Sequence, residues 1–338
     1  MLVGWRSYDL PAGSDPEQLK VITLTIPKSK ITRLIFIQNK WQGIASIQTG
    51  KKSRLIDCFG DCDGNNFVFV DVKHNGKISQ ITSSMVILRT FVSSKKASVR
   101  CIDFSIDDTI EIFKHISEMN YESPFDEPLL HYLRDLHNRT GMSITLYCFY
   151  EDDCFNLSMC TRKFKDEFED NSEWLKFGFH ARKVNSKYAT VHKDKLYDDY
   201  KQCMENLEQI CGEKSLAGIL RLHGFEGTEN HIHKMVLDER YPLKTLLCAD
   251  DKRNNYCLNR NQNILIQNGK LIYDDKTGCD YLKTDIRIEN VKKHDFLKLV
   301  KYKRAISKGK PVIIFSHEWF LKTDEGKERL EAILSKLM

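Results

Sequence analysis

The chain has 338 residues, of which 41% are apolar and 29% charged, with a formal net charge of +5. That balance describes an ordered globular protein with room for two domains and excludes a disordered chain. Lysines are spread along the whole length instead of forming a basic block, and no run approaches the roughly 18–20 apolar residues of a membrane helix, so neither a nucleic-acid nor a membrane partner is expected.

At the N-terminus, Trp5-Arg-Ser-Tyr-Asp9 stands where a secretory leader needs a continuous apolar core, and the expected compartment is the cytoplasm. Residues 1–95 read as a β-rich module. Its strand candidates are Val21–Ile26, Ile31–Ile37, Gly43–Gln48, Phe67–Val72 and Met85–Val92, with Asp63-Gly-Asn-Asn66 and Asn75-Gly76 as turn signals. Strands with one apolar face need a second layer, so a small antiparallel β-sandwich-like domain is expected. Trp5, Tyr8, Trp41 and Phe67 serve either its packing, including contact with the next domain, or a sugar-binding surface. The cysteines number 11 and include no Cys-x-x-Cys, while Cys58-Phe-Gly-Asp-Cys62 lacks a second Cys or His pair nearby. Free thiols are expected, not a disulfide framework or a zinc knuckle.

From residue 96 to 338 strand-like runs alternate with charged helical segments. Strands are expected over 99–106, 143–150, 174–179, 217–222, 243–249, 284–289 and 311–316, and helices over 126–138, 193–211 and 323–337. In the second helix Leu196, Tyr200, Cys203, Met204, Leu207 and Ile210 recur mostly at three- and four-residue spacings. Strand, crossover helix and parallel strand thus repeat as in a β/α barrel or an open α/β sheet. Within 256–274, Asn268-Gly269 between two apolar runs predicts an inserted β-hairpin.

Ionisable residues gather at the predicted strand ends. Asp107 and Asp108 close the first strand, and adjacent side chains reach one pocket only where a strand turns. One can then bind a metal while the other acts as base, or the pair can simply start a helix. His180 ends Trp174-Leu-Lys-Phe-Gly-Phe-His180, Arg221 and His223 share one face of Ile219-Leu-Arg-Leu-His223, and His317 ends Pro311-Val-Ile-Ile-Phe-Ser-His317. Imidazoles with one carboxylate make a divalent-metal shell, a second carboxylate can act as general base, and a further histidine can protonate a leaving group.

These residues resemble the polysaccharide deacetylase family, the NodB-homology domain, over about residues 96–338. The resemblance implies a distorted seven-stranded β/α barrel and metal-dependent removal of an acyl group, such as acetyl, from a carbohydrate-like N- or O-acyl substrate. The family's Thr-Phe-Asp-Asp motif is answered by Ser105-Ile-Asp-Asp108, which makes Asp107 the implied base and Asp108 an implied ligand. Its His-Ser/Thr-x-x-His motif is half kept, because the chain reads His180-Ala-Arg-Lys-Val184 and valine cannot ligate. His223, His192, His231 or Asn185 can complete the shell, and His223 is preferred because it occupies a strand end. Arg221 matches the Arg of Arg-x-Pro-Tyr without the proline, and Ile314-Phe-Ser-His317 answers Leu-x-His with one extra residue, making His317 the implied acid. The fourth motif, an Asp and a Trp behind the acid, has no equivalent by spacing; Asp250, Asp251, Asp285 and Trp319 are the residues that can stand in.

The implied cofactor is a divalent metal, zinc, and the implied partner is a carbohydrate or small acylated substrate. Two other readings use the same barrel: a carbohydrate-binding protein without catalysis, and a metal-dependent amidase acting on small C–N compounds. Nucleotide chemistry is not expected, since neither Gly-x-Gly-x-x-Gly nor Gly-x-x-x-x-Gly-Lys-Ser/Thr occurs, and Gly-x-Ser-x-Gly is absent too.

Overall fold

The computed structural model describes residues 102–189, 195–292, 297, 299–307 and 312–338, together with eight strands between Trp5 and Ser93. Those strands are β1 (Trp5–Asp9), β2 (Lys20–Leu24), β3 (Thr32–Ile37), β4 (Ile44–Thr49), β5 (Lys52–Asp57), β6 (Phe67–Val72), β7 (Ile78–Ser83) and β8 (Arg89–Ser93). All pair antiparallel: β1 with β8, β3 with β6, and β2-β7-β4-β5 as one sheet. Trp41, Cys58, Cys62 and His192, and the side chains of Trp5, Tyr8 and Phe67, lie outside the described residues.

From Ile102 strand and helix alternate. In order they are β9 (Ile102–Thr109), α1 (Glu111–Glu118), α2 (Pro128–Thr140), β10 (Ser143–Phe149), α3 (Lys165–Asp170), β11 (Leu175–Ala181), α4 (Lys195–Cys211) and β12 (Ile219–Leu220). The chain continues with α5 (Glu229–Leu237), β13 (Thr245–Cys248), α6 (Arg260–Gln267), β14 (Ile272–Asp274), β15 (Cys279–Lys283) and β16 (Ile286–Arg287). It ends with α7 (Leu299–Ser307), β17 (Val312–His317), α8 (Glu318–Leu321) and α9 (Asp324–Leu337).

This part is mixed α/β. A five-stranded sheet in the order β11-β10-β9-β17-β16 is parallel throughout. A second sheet, β12-β13-β15-β14, is parallel except for β14, which runs antiparallel to β15. At one margin a backbone bond crosses between the two sheets, with Ala217 N–H donating to the Phe177 carbonyl at 2.8 Å. At the other the chain itself passes from β15 to β16: Thr284 N–H still donates to Cys248 of the second sheet at 3.0 Å, and the next residue, Asp285, donates its N–H to Ile313 of the first at 2.9 Å.

The strands of the parallel sheet are buried on both faces, as β9 illustrates with every described residue buried except Asp108, which is half-buried. Helices supply the outer cover. Leu129, Leu130, Leu133 and Leu136 of α2, the predicted apolar stripe of α4, and Leu330, Ile333, Leu334 and Leu337 of α9 are all buried, each worth about 1.5–3 kcal/mol in transfer free energy. The ends of α2 follow from its sequence: the Glu127 carboxylate accepts the Leu129 and Leu130 N–H groups, Pro128 opens the first turn, and Gly141 closes it at φ +69°.

The strand expected over 284–289 is reduced to Ile286–Arg287, and the one over 217–222 to Ile219–Leu220. The hairpin expected within 256–274 is corrected: its first arm is helix α6. Asn259 and Gln262 form a capping box there, each side chain taking the other's backbone N–H at 2.9 and 2.8 Å. Asn268-Gly269 is the stop of that helix, with Gly269 at φ +75° and the N–H groups of Gly269 and Lys270 returning to Ile266 and Leu265. A hairpin does exist one strand later, between β14 and β15. Asn259→Ala is therefore expected to lower stability by about 1 kcal/mol in urea denaturation; no change in midpoint would contradict the capping box.

Candidate metal-binding and acid–base site

The site begins with an irregularity in β9. Ile106 pairs with Leu146, but the next pair is Thr109 with Cys148, so β9 carries one residue more than β10 over this step. That is a β-bulge. Asp108 sits in it at φ +60°, a left-handed conformation costing a non-glycine residue roughly 1–2 kcal/mol. In a regular strand Asp107 and Asp108 would face opposite sides. Here Asp107 pairs with Arg221 from β12's end, while Asp108 faces His180 of β11 and His223.

Asp108 Oδ1 lies 3.2 Å from His180 Nε2 and 3.6 Å from His223 Nδ1, and these two ring nitrogens are 3.3 Å apart. The Arg221 carbonyl lies 2.6 Å from His180 Nδ1. A carbonyl oxygen only accepts, so Nδ1 carries a proton and Nε2 is the ring nitrogen turned toward Asp108. Ligand atoms of Asp108, His180 and His223 thus converge within 4.8 Å of one another. Their mutual repulsion is relieved by a shared proton or by a cation. Asp108 Oδ1 is buried and accepts no well-directed hydrogen bond among the described residues, the condition of an oxygen free to ligate.

The electrostatics agree with this geometry. Burial raises the Asp108 carboxyl, but the close approach of His180 and His223 and, when the rings are protonated, the charges of His180 and His317 outweigh it and hold the group well below the usual carboxylate range. Burial likewise favours neutral His180, yet Asp107 and Asp108 lift it above the ordinary histidine value. Two histidines and one carboxylate, with His223 28% and Asp108 17% accessible at the side chain, form a donor set that fits a divalent ion with an open position. Phe149 lies 5.4 Å from each imidazole and gives the pair an apolar wall.

Arg221 is fully buried. Its Nη1 donates to Asp107 Oδ1 and to Ser105 Oγ, both at 2.8 Å, and Nη2 donates to Thr284 Oγ1 at 3.1 Å. Phe315 covers the guanidinium at 4.2 Å from its ring centre. On the other side of β9, His317 of β17 stands in register with Asp107. Glu289 Oε1 accepts from His317 Nδ1 at 3.0 Å, from His317 N at 2.9 Å and from Ser316 Oγ at 2.9 Å. Burial raises the Glu289 carboxyl, but the His317 bond and charge bring it below its ordinary value.

The structure thus brings Asp107, Asp108, His180, Arg221, His223 and His317 to neighbouring strand ends. Val184 is 60% exposed in the turn after β11, with Asn185 beside it. His231 lies on α5 with its ring against Thr228, and Asp251 is held by Arg253. Trp319 stacks on His317 at 5.7 Å and is 55% exposed. Glu289 was not anticipated, although it closes the expected strand 284–289 and the strand-end rule that selected Asp107 and His317 applies to it equally.

No protein-family model and no curated protein matches the sequence. Among solved structures, a ruminal GH26 endo-β-1,4-mannanase is 9% identical, with 94% of this chain and 86% of that chain covered and a TM-score of 0.24. A family two carbohydrate esterase from Cellvibrio japonicus is 11% identical, with 98% and 96% covered and a TM-score of 0.15. The acetyl xylan esterase Est2A from the rumen bacterium Butyrivibrio proteoclasticus is 11% identical, with 98% and 82% covered and a TM-score of 0.17. At such TM-scores these likenesses transfer neither fold nor chemistry.

Arg221→Met leaves Asp107 buried without its counter-charge and is expected to cost about 3–5 kcal/mol in urea denaturation; a loss under about 1 kcal/mol would show that Asp107 has another partner. Asp285 instead accepts the Ile313 N–H at 3.0 Å, and burial pushes its carboxyl up to about 6 from 3.8. Between those values the folded chain binds the extra proton, so stability falls as pH rises through that window, by at most about 3 kcal/mol. Asp285→Asn should flatten this part of the profile in denaturation between pH 4 and 7, and an unaltered slope would reject the assignment.

Proposed function

We propose that the protein is a metal-dependent hydrolase that removes an acyl group from a carbohydrate-like N- or O-acyl substrate, on a distorted seven-stranded barrel of the polysaccharide deacetylase kind. The barrel reading counts β9 to β13 and β17 as six strands and β15 with β16 as the seventh, broken at Thr284–Asp285; the Ala217–Phe177 bond at one margin and the continuous chain from β15 into β16 at the other support it. One observation carries the chemistry: the Asp108–His180–His223 cluster is flanked by a carboxylate bound to arginine and a histidine bound to a carboxylate.

Asp108, His180 and His223 would hold the ion, and zinc suits their N and O donors. When bound, it supplies Lewis acidity to a water and to the acyl carbonyl. Asp107 acts as general base. Arg221 occupies its Oδ1 and leaves Oδ2 to receive the proton of the attacking water. His317 acts as general acid. Its Nδ1–H is held by Glu289, which directs the ring, and Nε2 delivers a proton to the leaving amine or alcohol.

The test is made on protein purified without chelator. About one zinc per chain is expected, with acetate released from acetylated sugars, activity lost to chelator and restored by zinc. Asp107→Asn and His317→Ala should each lower kcat by about 10²–10⁴ while the zinc content stays. Turnover within threefold of the parent in both variants would overturn the assigned roles, and turnover of small amides alone would move the substrate from carbohydrate to small C–N compounds.

A further inference from the structure

The residue after His317 reaches the backbone after Asp108. Glu318 is buried, at 2% exposure. Its Oε2 accepts the N–H groups of Ile110 at 2.9 Å and Glu111 at 3.0 Å, and its Oε1 accepts that of Ile112 at 2.9 Å. These are the first donors of α1, and the N-cap position is Ile110, whose side chain cannot cap. A carboxylate from 208 positions away in sequence therefore does the capping. Burial drives this carboxyl up to about 7, and the three donors pull the other way, so these bonds are what retain a charge in so dry a place.

The location matters more than the cap. Asp108 holds a left-handed conformation two residues before the first of these donors, and such strain persists only where the surroundings over-determine it. The β17–β9 register already sets His317 opposite Asp107. We propose that Glu318 is a positioning residue: it clamps the end of the acid-bearing strand to the backbone leaving the ligand-bearing bulge, and so sets Asp108 and His317 in one geometry. The proposal rests on the hydrolase reading for its consequence, but the clamp itself is measurable without it.

The experiment compares Glu318→Gln and Glu318→Ala with Asn259→Ala, a helix-cap variant on α6 away from the site. At pH 8, amide hydrogen exchange over 105–112 should rise in both Glu318 variants and stay at the parental rate in Asn259→Ala. Zinc affinity, read by competition with a chromogenic chelator, should fall about tenfold or more in the Glu318 variants, and the cobalt(II) visible spectrum should change, whereas Asn259→Ala alters neither. Unchanged exchange over 105–112 overturns the clamp. Faster exchange with parental zinc affinity and cobalt spectrum also overturns it, leaving Glu318 as a helix cap alone. If the parent takes up no zinc, the metal reading fails by itself, and the exchange data still decide whether Glu318 controls the bulge.

Discussion

Arg221 is the residue on which the arrangement depends, because it acts on both halves of the site through different atoms. Its guanidinium fixes Asp107, and its backbone carbonyl fixes the proton on His180 Nδ1. The first contact gives one buried carboxylate a counter-charge; the second places a proton on Nδ1 and so turns Nε2 toward the neighbouring carboxylate. A buried arginine carries a large desolvation cost, offset here by Asp107, Ser105 and Thr284 and by the face of Phe315. Those partners come from β9, the β15–β16 step and β17. The charge that organises the site is thereby tied to the strands that surround it.

Adjacent carboxylates at one strand end are ordinarily a liability, since two negative charges in a low-dielectric place repel. The bulge at Asp108 separates their surroundings instead of their positions. Asp107 receives a permanent cation, and Asp108 receives only two imidazoles. One carboxylate is thus neutralised by the protein, while the other retains an oxygen without a well-directed hydrogen bond. The same division at β17 gives His317 a carboxylate of its own, Glu289, so each ionisable group answers to a different neighbour.

Much of the α/β part was legible because its strands are short apolar runs and its longer helices carry an uninterrupted stripe. The stripe from Leu196 to Ile210 recovers α4 to within two residues, and the run ending at His317 recovers β17. What failed was local. Asn268-Gly269 fits both a two-residue hairpin and a helix stop, since both need a positive φ, and the deciding feature was the capping box nine residues earlier at Asn259. The helix α1 entered only as one reading of Asp107-Asp108, for another reason: its N-terminus is capped by Glu318, a contact that spans most of the α/β part and leaves no local signal. Of the site, the strand-end ionisable residues were readable from pattern alone, whereas the bulge that turns Asp108 was not, because a left-handed aspartate is set by tertiary context.

The place of Val184 has a physical consequence. A His-x-x-x-His pair would draw two ligands from one stretch of chain at the end of β11, but here the turn after β11 faces solvent and the second imidazole comes from the short turn that follows β12. The three donors therefore arise from three separate strand ends, β9, β11 and β12, and from both sheets. Two of those ends are joined where the sheets meet by the Phe177–Leu216 bridge, the Ala217 bond and the contact of His180 with the Arg221 carbonyl. A cation shared across that margin would cross-link the less regular seam of the fold, and its binding free energy would then count toward the stability of the sheet margin as well as toward chemistry. With both imidazoles on one local turn, occupancy would be nearly independent of how the two sheets meet; with His223 across the seam, loosening of that margin would also weaken the site for such an ion.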